Sequence, residues 1–464
     1  MPTPEPPAQA PDRSYGSADP SGAIPAVSLA DNLVYNLAHV LPYYLQGIFT
    51  RNRLWTGLVA RFHPDPLMVR FVGGLIRRYR SRYLYVSMLG TRSLLVLELE
   101  GIERVLDNSP LTYADAKIKR RGMSHFQPNA VTISRGEEWR DRRRFNEGVL
   151  DFDRDLHRDA DHFRAIVARE VAATPAGGWP DFELLFERIT LQVIFGQRAR
   201  DDRPLIEGLK AMLRESNRVF LLGKSRHFDD FYARVRAYLR APEEHSLVAR
   251  CGQVPASEMT RVENQIPHWM FAMSETLAVN AVRTLGLIAS HPEAEGHVAA
   301  ELGRADLAST AGIDGLAYLE GCFQEGMRLW PTTPLLVREM VGDDMLGGAL
   351  VPSGTQVLIL NGFNHRDRAT CDFADAFRPE VWLDGRVDYR FNHLSNGTQV
   401  CAGKPLVLFL AKAALALLLR DHRYVLRRPM LDPHRPLPYA FDHFAVRFSR
   451  RRREPAGVAA PPPT

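Results

Sequence analysis

The chain has 464 residues, of which 45% are hydrophobic and 24% charged, a balance that fits a globular protein and excludes a collagen-like or wholly disordered chain. The net charge of +5 leans basic without the charge density of a nucleic-acid binder, so no nucleic-acid partner is expected. Four cysteines, Cys251, Cys322, Cys371 and Cys401, lie far apart without paired spacing, which excludes a disulfide framework or a cysteine-rich zinc site and predicts a cytoplasmic protein.

Residues 1–25 are rich in Pro, Ala and Ser and predict a disordered tail; no linker divides 26–464, which reads as one domain. The apolar segment 33–49 carries Asn36, His39 and Pro42, too short and interrupted for a transmembrane anchor, and is expected to pack on the domain, with an amphipathic contact with a membrane surface as the alternative. Runs at 83–89 and 93–99, separated by a Gly-Thr-Arg turn, predict a two-stranded hairpin. From 101 to about 240 apolar residues recur at three and four, predicting helices such as 152–172 and 181–197. The basic clusters at 117–121, 140–144 and 450–453 read as solvated faces.

The segment 257–290 predicts one long helix through the interior, bent or begun at Pro267, with Ser274, Glu275 and Thr276 as a polar interruption in its apolar centre. A shorter helix at 315–330 stops at Pro331, strand-like runs follow at 334–341 and 355–361, and a meander at 365–390 leads to an apolar helix at 404–422. The fold class is mainly α with minor β.

Just before that last helix, FNHLSNGTQVCAGKP (391–405) puts Cys401 in a loop loosened by Gly397 and Gly403. Such a cysteine can be a small buried hydrophobe, a nucleophile, or the thiolate ligand of a haem iron. Small residues at 395–398 and 402–403 let the backbone curl around a sulfur, and the following helix aims its N-terminal dipole at it. The loop favours the ligand reading and leaves the other two open.

The sequence resembles the cytochrome P-450 family of haem-thiolate monooxygenases, in its soluble bacterial type. The family's signature positions (aromatic, glycine, basic, cysteine, glycine) read here Leu394, Gly397, Gln399, Cys401 and Gly403, so the cysteine and both glycines match. Glu325 and Arg328 in QEGMRLWP match the family's helical ion pair, Glu275 and Thr276 its acid–alcohol pair, and Trp139 and Arg143 in GEEWRDRRRF its Trp-x-x-x-Arg helix.

The resemblance implies a large helical domain with a small β-rich region around a buried haem b held by Cys401 as axial thiolate. Trp139, Arg143 and Arg338 would meet the haem propionates, with Gly397 and Gly403 making room. Arg140, Arg142 and Arg144 would face solvent near an electron donor's docking surface. Val381 stands where an arginine usually joins the ion pair, so Arg378 or Arg386 is expected to substitute. Ala272, Met273, Thr332, Thr333, Leu335 and Leu336 would line the pocket, Met273 replacing a small residue.

The implied activity is insertion of one oxygen atom of O2 into a small apolar organic substrate, with Glu275 and Thr276 delivering protons. Electrons would come from a separate ferredoxin- or flavodoxin-type donor. A peroxide-dependent oxygenase or a haem-thiolate isomerase or dehydratase is the alternative on the same scaffold, and a non-catalytic haem sensor a third.

Overall fold

The computed structural model describes residues 23–62, 65–218, 223, 225–385 and 387–453. The expected tail lies outside these residues except for 23–25, and so does Arg386.

Helices dominate, and the most buried of them are apolar on all sides. Lys404–Asp421 has Pro405 in its first turn, where a missing N–H does no harm, and every residue from Leu408 to Leu419 is buried. Lys412 is the charged exception, and its ammonium meets the carboxylates of Glu320 at 2.9 Å and Asp314 at 3.2 Å. The helix Trp179–Phe195 ends where Gly196 turns the chain at φ +94, and it packs with Ala160–Ala172 and Leu277–Ser290. Together these helices form the large core.

Among the described residues nine strands accompany the helices: β1 (Tyr83–Met88), β2 (Thr91–Val96), β3 (Tyr113–Asp115), β4 (Leu336–Met340), β5 (Asp344–Leu346), β6 (Ala349–Val351), β7 (Gln356–Ile359), β8 (His422–Arg428) and β9 (Arg447–Arg452). A five-stranded sheet runs β1-β2-β7-β4-β3, with β2 and β7 parallel and the other pairs antiparallel. The expected hairpin is therefore the edge of a larger sheet, each face of which carries its own apolar cluster. The pairs β5–β6 and β8–β9 form two small separate sheets.

Two long helices expected from periodicity are shorter. At 152–172 only Ala160–Ala172 is helical. Asp151 turns left-handed at φ +48 to end the helix Gly136–Leu150, and its carboxylate then holds the backbone N–H and guanidinium of Arg158. The segment 257–290 is broken into a 3-10 turn at Val262–Asn264, a helix at Ile266–Phe271, a π-helical turn at Ala272–Thr276 and a helix at Leu277–Ser290. Pro267 falls in the first turn of Ile266–Phe271 and marks a start, not a bend.

The segment 33–49 forms Leu29–Tyr35, a π turn at Asn36–Val40, and Leu41–Gln46. Tyr35 and Val40 pack inward as expected, whereas Leu29, Leu33, Leu37 and Leu41, four apart, are exposed on the outer face. No helix among the described residues is long and apolar enough to cross a membrane.

Glu325 and Arg328, on the helix Ala317–Leu329, form a two-pronged ion pair of 2.7 and 2.6 Å with both side chains fully buried. Arg328 also donates to the carbonyls of His365, Ala374 and Ala376 at 2.8 to 3.0 Å. Of the two arginines expected to substitute at this pair, Arg378 joins through its backbone alone: Glu325 accepts the Trp382 indole N–H and the Arg378 backbone N–H, each at 3.0 Å, while the Arg378 guanidinium lies outside beside Glu380. His365 Nε2 accepts the Asn392 N–H, so Nδ1 carries the proton and donates to the Arg328 carbonyl.

That tautomer is neutral, and burial pushes the His365 pKa down to about 3. Burial likewise holds His443 well below the usual histidine range. Both bind a proton near 6.5 when unfolded but not when folded, so their contribution is present above pH 6.5 and lost as pH falls. Chemical denaturation should show stability declining between pH 6.5 and 5 by about 1.4 kcal/mol per pH unit per histidine, before the carboxylates titrate; a flat profile there would contradict the neutral pair.

Candidate functional site

A cavity of about 480 Å³ opens between three chain segments. One wall is the π turn Ala272–Thr276 and the start of the helix behind it, another is the loop ending at Cys401 and Gly403, and a third runs from Thr332 to Arg338. Ala272, Met273, Glu275, Thr276, Thr332, Thr333, Leu335 and Leu336 all line it, as do Trp139, Arg143, Arg338, Cys401 and Gly403. Of the residues predicted for the pocket, Gly397 alone is not in its lining.

Gly397 works from behind. Its φ is +63, and a Cβ there would stand 2.5 Å from the Leu106 carbonyl oxygen, so the loop closes on the helix Leu99–Asp107 only with glycine. At Gly403 a Cβ would meet no protein atom nearer than Leu150 Cδ1 at 3.7 Å. What Gly403 supplies is its N–H, which bonds to the Cys401 thiol.

Among the described residues Cys401 is the cysteine that lines the cavity; Cys251, Cys322 and Cys371 are buried elsewhere. Burial pushes the Cys401 thiol up, and the Gly403 N–H and the charges of Arg143 and Lys404 oppose this. Its own N–H donates to the Leu394 carbonyl at 2.9 Å, which fixes the loop's curl.

Arg143, on Gly136–Leu150, donates to the Val400 carbonyl and to Glu147, each at 2.6 Å, and so braces the cysteine loop. Trp139 lies one turn earlier on the same helix. Arg142, expected in solvent, is buried: it donates to Ser134 Oγ at 2.6 Å and the Met259 carbonyl at 2.8 Å and pairs with Glu138. Arg140 and Arg144 are exposed as expected.

Arg338 on β4 is paired at 3.0 Å with Asp115, its register partner on β3, and its Nε has no partner. Burial acts to raise the Asp115 carboxyl, but Lys119 and Arg338 outweigh it and hold the pKa below the usual range. His268 lines the same side with Nδ1 unpartnered, and burial pushes its pKa down to about 4.

In the π turn, Ser274 Oγ bonds back to the Met270 carbonyl at 2.7 Å and Met273 is buried in the wall. The Glu275 carboxylate accepts the Thr50 hydroxyl at 3.0 Å and the Arg51 N–H at 3.4 Å. Burial raises its pKa against those two bonds. Thr50, Asp115, Lys119 and His268 gave no sequence signal, Lys119 being hidden in a cluster that reads as solvated. Arg283 did give one, as the lone cation in the apolar run LAVNAVRTLGLIAS.

Residues 252–435 match the family model for cytochrome P-450. Over that stretch the chain is similar to the cytochrome P-450 family. It is similar to sugiol synthase of Salvia miltiorrhiza, 32% identical over 34% of each chain, and to ferruginol synthase of Salvia pomifera, 31% identical over 36% of this chain and 40% of the relative. A cytochrome P-450 of Drosophila melanogaster is 28% identical over 35% of this chain and 32% of the relative. The match thus spans about a third of the length of these relatives.

The family binds haem b through an axial cysteine thiolate, and the cavity fits that group. It offers one thiol with an N–H aimed at it, and the donors Trp139, Arg143 and Arg338 for two carboxylates. Buried polar atoms without partners, Arg338 Nε and His268 Nδ1, face a space that such carboxylates satisfy. Gly397→Ala should lower stability by about 1–3 kcal/mol for the left-handed strain alone and reduce haem retention, read by urea midpoint and haem-to-protein ratio; wild-type values for both would contradict the steric account of the loop.

Proposed function

We propose that this chain is a haem-thiolate monooxygenase that inserts one oxygen atom of dioxygen into an apolar organic substrate, by hydroxylation, epoxidation or oxidative coupling. The observation that carries the reading is that Cys401 and the Glu275–Thr276 pair line one cavity, the pair lying in a π-helical turn. Bound haem b would supply two-electron activation of dioxygen.

The chain's own residues do the rest. Cys401 Sγ would hold the haem iron, and the Gly403 N–H and Arg143 favour its thiolate form against burial. Burial raises the Glu275 pKa, its Oε1 accepts the Thr50 hydroxyl at 3.0 Å, and Thr276 is the next residue along the cavity wall, which sets out a route for a proton. Trp139, Arg143 and Arg338 would hold the propionates. Met273, Leu335 and Leu336 keep water from the substrate's apolar part.

Electrons come from a separate ferredoxin- or flavodoxin-type protein; the exposed Arg140 and Arg144, on the helix whose Arg143 braces the cysteine loop, support docking of an acidic donor there. Unpaired cysteines support a cytoplasmic setting. A peroxide-driven oxygenase or an isomerase on the same scaffold is favoured by one feature, the engagement of Glu275 by Thr50 and Arg51.

Reduced protein under carbon monoxide should show the strongly red-shifted Soret band of thiolate ligation, and Cys401→Ala should abolish it; a histidine-type spectrum would remove the assignment. Thr276→Ala should leave that band intact and uncouple electron consumption from product formation. Unchanged coupling would transfer the reading to the peroxide or isomerase class.

A further inference from the structure

The apolar cavity contains a cation that no carboxylate among the described residues neutralises. Arg283, on Leu277–Ser290, lines the cavity with 9% of its surface exposed. Its Nη1 donates to the Trp330 carbonyl at 2.7 Å, and its Nε is buried without a partner. Burial, then the nearby charge of Arg51, brings its pKa down to about 9.

Arg51 lines the cavity too, donating to the Gly47 carbonyl at 2.7 Å and the Thr332 carbonyl at 3.2 Å. The two guanidiniums therefore hang on carbonyls two residues apart. Among the described residues neither forms an ion pair with a carboxylate. Glu275 offers its oxygens to Thr50 and the Arg51 backbone, and burial shifts it toward its neutral form. His443, buried beside this pair with both ring nitrogens unpartnered, is held neutral by burial and by the two cations.

A buried, unpaired guanidinium destabilises a fold by several kcal/mol. The Trp330 carbonyl bonds Arg283 but does not neutralise it. Trp139, Arg143 and Arg338, the donors fitted to the haem carboxylates, belong to other segments. The same cavity is otherwise walled by apolar groups such as Val279, Phe323, Met327 and Leu335.

We infer that Arg283, assisted by Arg51, is a subsite for a carboxylate on the substrate, which is an apolar molecule with an anionic head. The inference rests on the monooxygenase reading and supplies its substrate class. Each guanidinium is anchored to a backbone carbonyl through a terminal nitrogen and keeps further N–H groups free, and such a planar fork suits the two oxygens of a carboxylate.

The test uses full-length holoprotein titrated with decanoate, dodecanoate and 4-phenylbutyrate, each against its matching alcohol, followed by the Soret spin-state shift and by equilibrium dialysis. At least one carboxylate should bind about tenfold tighter than its alcohol, a preference lost in Arg283→Gln, weakened in Arg51→Gln and kept in Arg283→Lys. No carboxylate preference in the wild type, or one unchanged in Arg283→Gln, overturns the inference. Haem loss in Arg283→Gln without any wild-type carboxylate preference also overturns it, assigning the cation to the cofactor. The carbon monoxide spectrum of each sample separates the outcomes: a thiolate-type band with no carboxylate preference sinks the subsite alone, whereas a histidine-type band sinks the reading beneath it.

Discussion

The arrangement of the site depends on the buried pair Glu325–Arg328. Taking two charges fully out of water is expensive, and their mutual attraction offsets it only when the remaining donors and acceptors are met. Here they are met by the chain that must be positioned: carbonyls of 365, 374 and 376 around the guanidinium, and the Trp382 indole and Arg378 N–H on the carboxylate. The meander has little regular structure of its own, so this polar hub stands in for a strand or helix in holding it. His365 carries the constraint onward, bonding Arg328 through Nδ1 and the Asn392 N–H through Nε2. Asn392 opens the cysteine loop, and Trp382 meets His393 edge-on at 5.1 Å. The position of Cys401 is thus set from a helix some 75 residues earlier.

The loop is fixed from its other side by steric and polar contacts. Gly397 lets it settle on the end of Leu99–Asp107, where Thr398 Oγ1 reaches the Leu106 carbonyl at 3.2 Å. Arg143 holds the Val400 carbonyl. Three independent supports, an ion-pair hub, a close backbone approach and an arginine brace, converge within ten residues. A thiolate at a defined depth in a cavity requires that kind of over-determination, because a loop alone would not hold its sulfur in place.

Much of this was legible in the sequence because helical periodicity and short-range pairing are local. Glu325 and Arg328 are three apart on one helix, and the cysteine segment carries its chemistry within a dozen residues. What failed was non-local. The break of 257–290 into a π turn is invisible to an apolar repeat, because Ser274 bonds back to the Met270 carbonyl whichever face is apolar. Arg142 reads as solvated beside Arg140 and Arg144, yet its partners Ser134 and Met259 bury it. Asp115 and Arg338 meet only because β3 and β4 pair across more than 200 residues. Arg283 was visible as a solitary cation in an apolar run, but its lack of a carboxylate is a property of the packed interior.

The π turn, the 47–51 turn and Asn217 at the end of the helix Arg203–Ser216 belong to one device. Gly47 turns the chain at φ +92, where a Cβ would lie 2.1 Å from the Thr50 carbonyl oxygen, so the 47–51 turn is sterically committed to glycine. Asn217, just past that helix, then clamps the turn: its Oδ1 accepts the N–H groups of Ile48 and Phe49 at 2.9 and 2.8 Å, and its Nδ2 donates to the Thr50 carbonyl at 2.9 Å. With the backbone held at three points, the Thr50 hydroxyl faces Glu275 and the Arg51 guanidinium reaches Thr332. One rigid turn therefore presents a proton partner to the polar pair and a positive charge to the pocket. Because both depend on the same clamp, the position of Glu275 and the charge around Arg283 are mechanically linked through the 47–51 turn and Asn217.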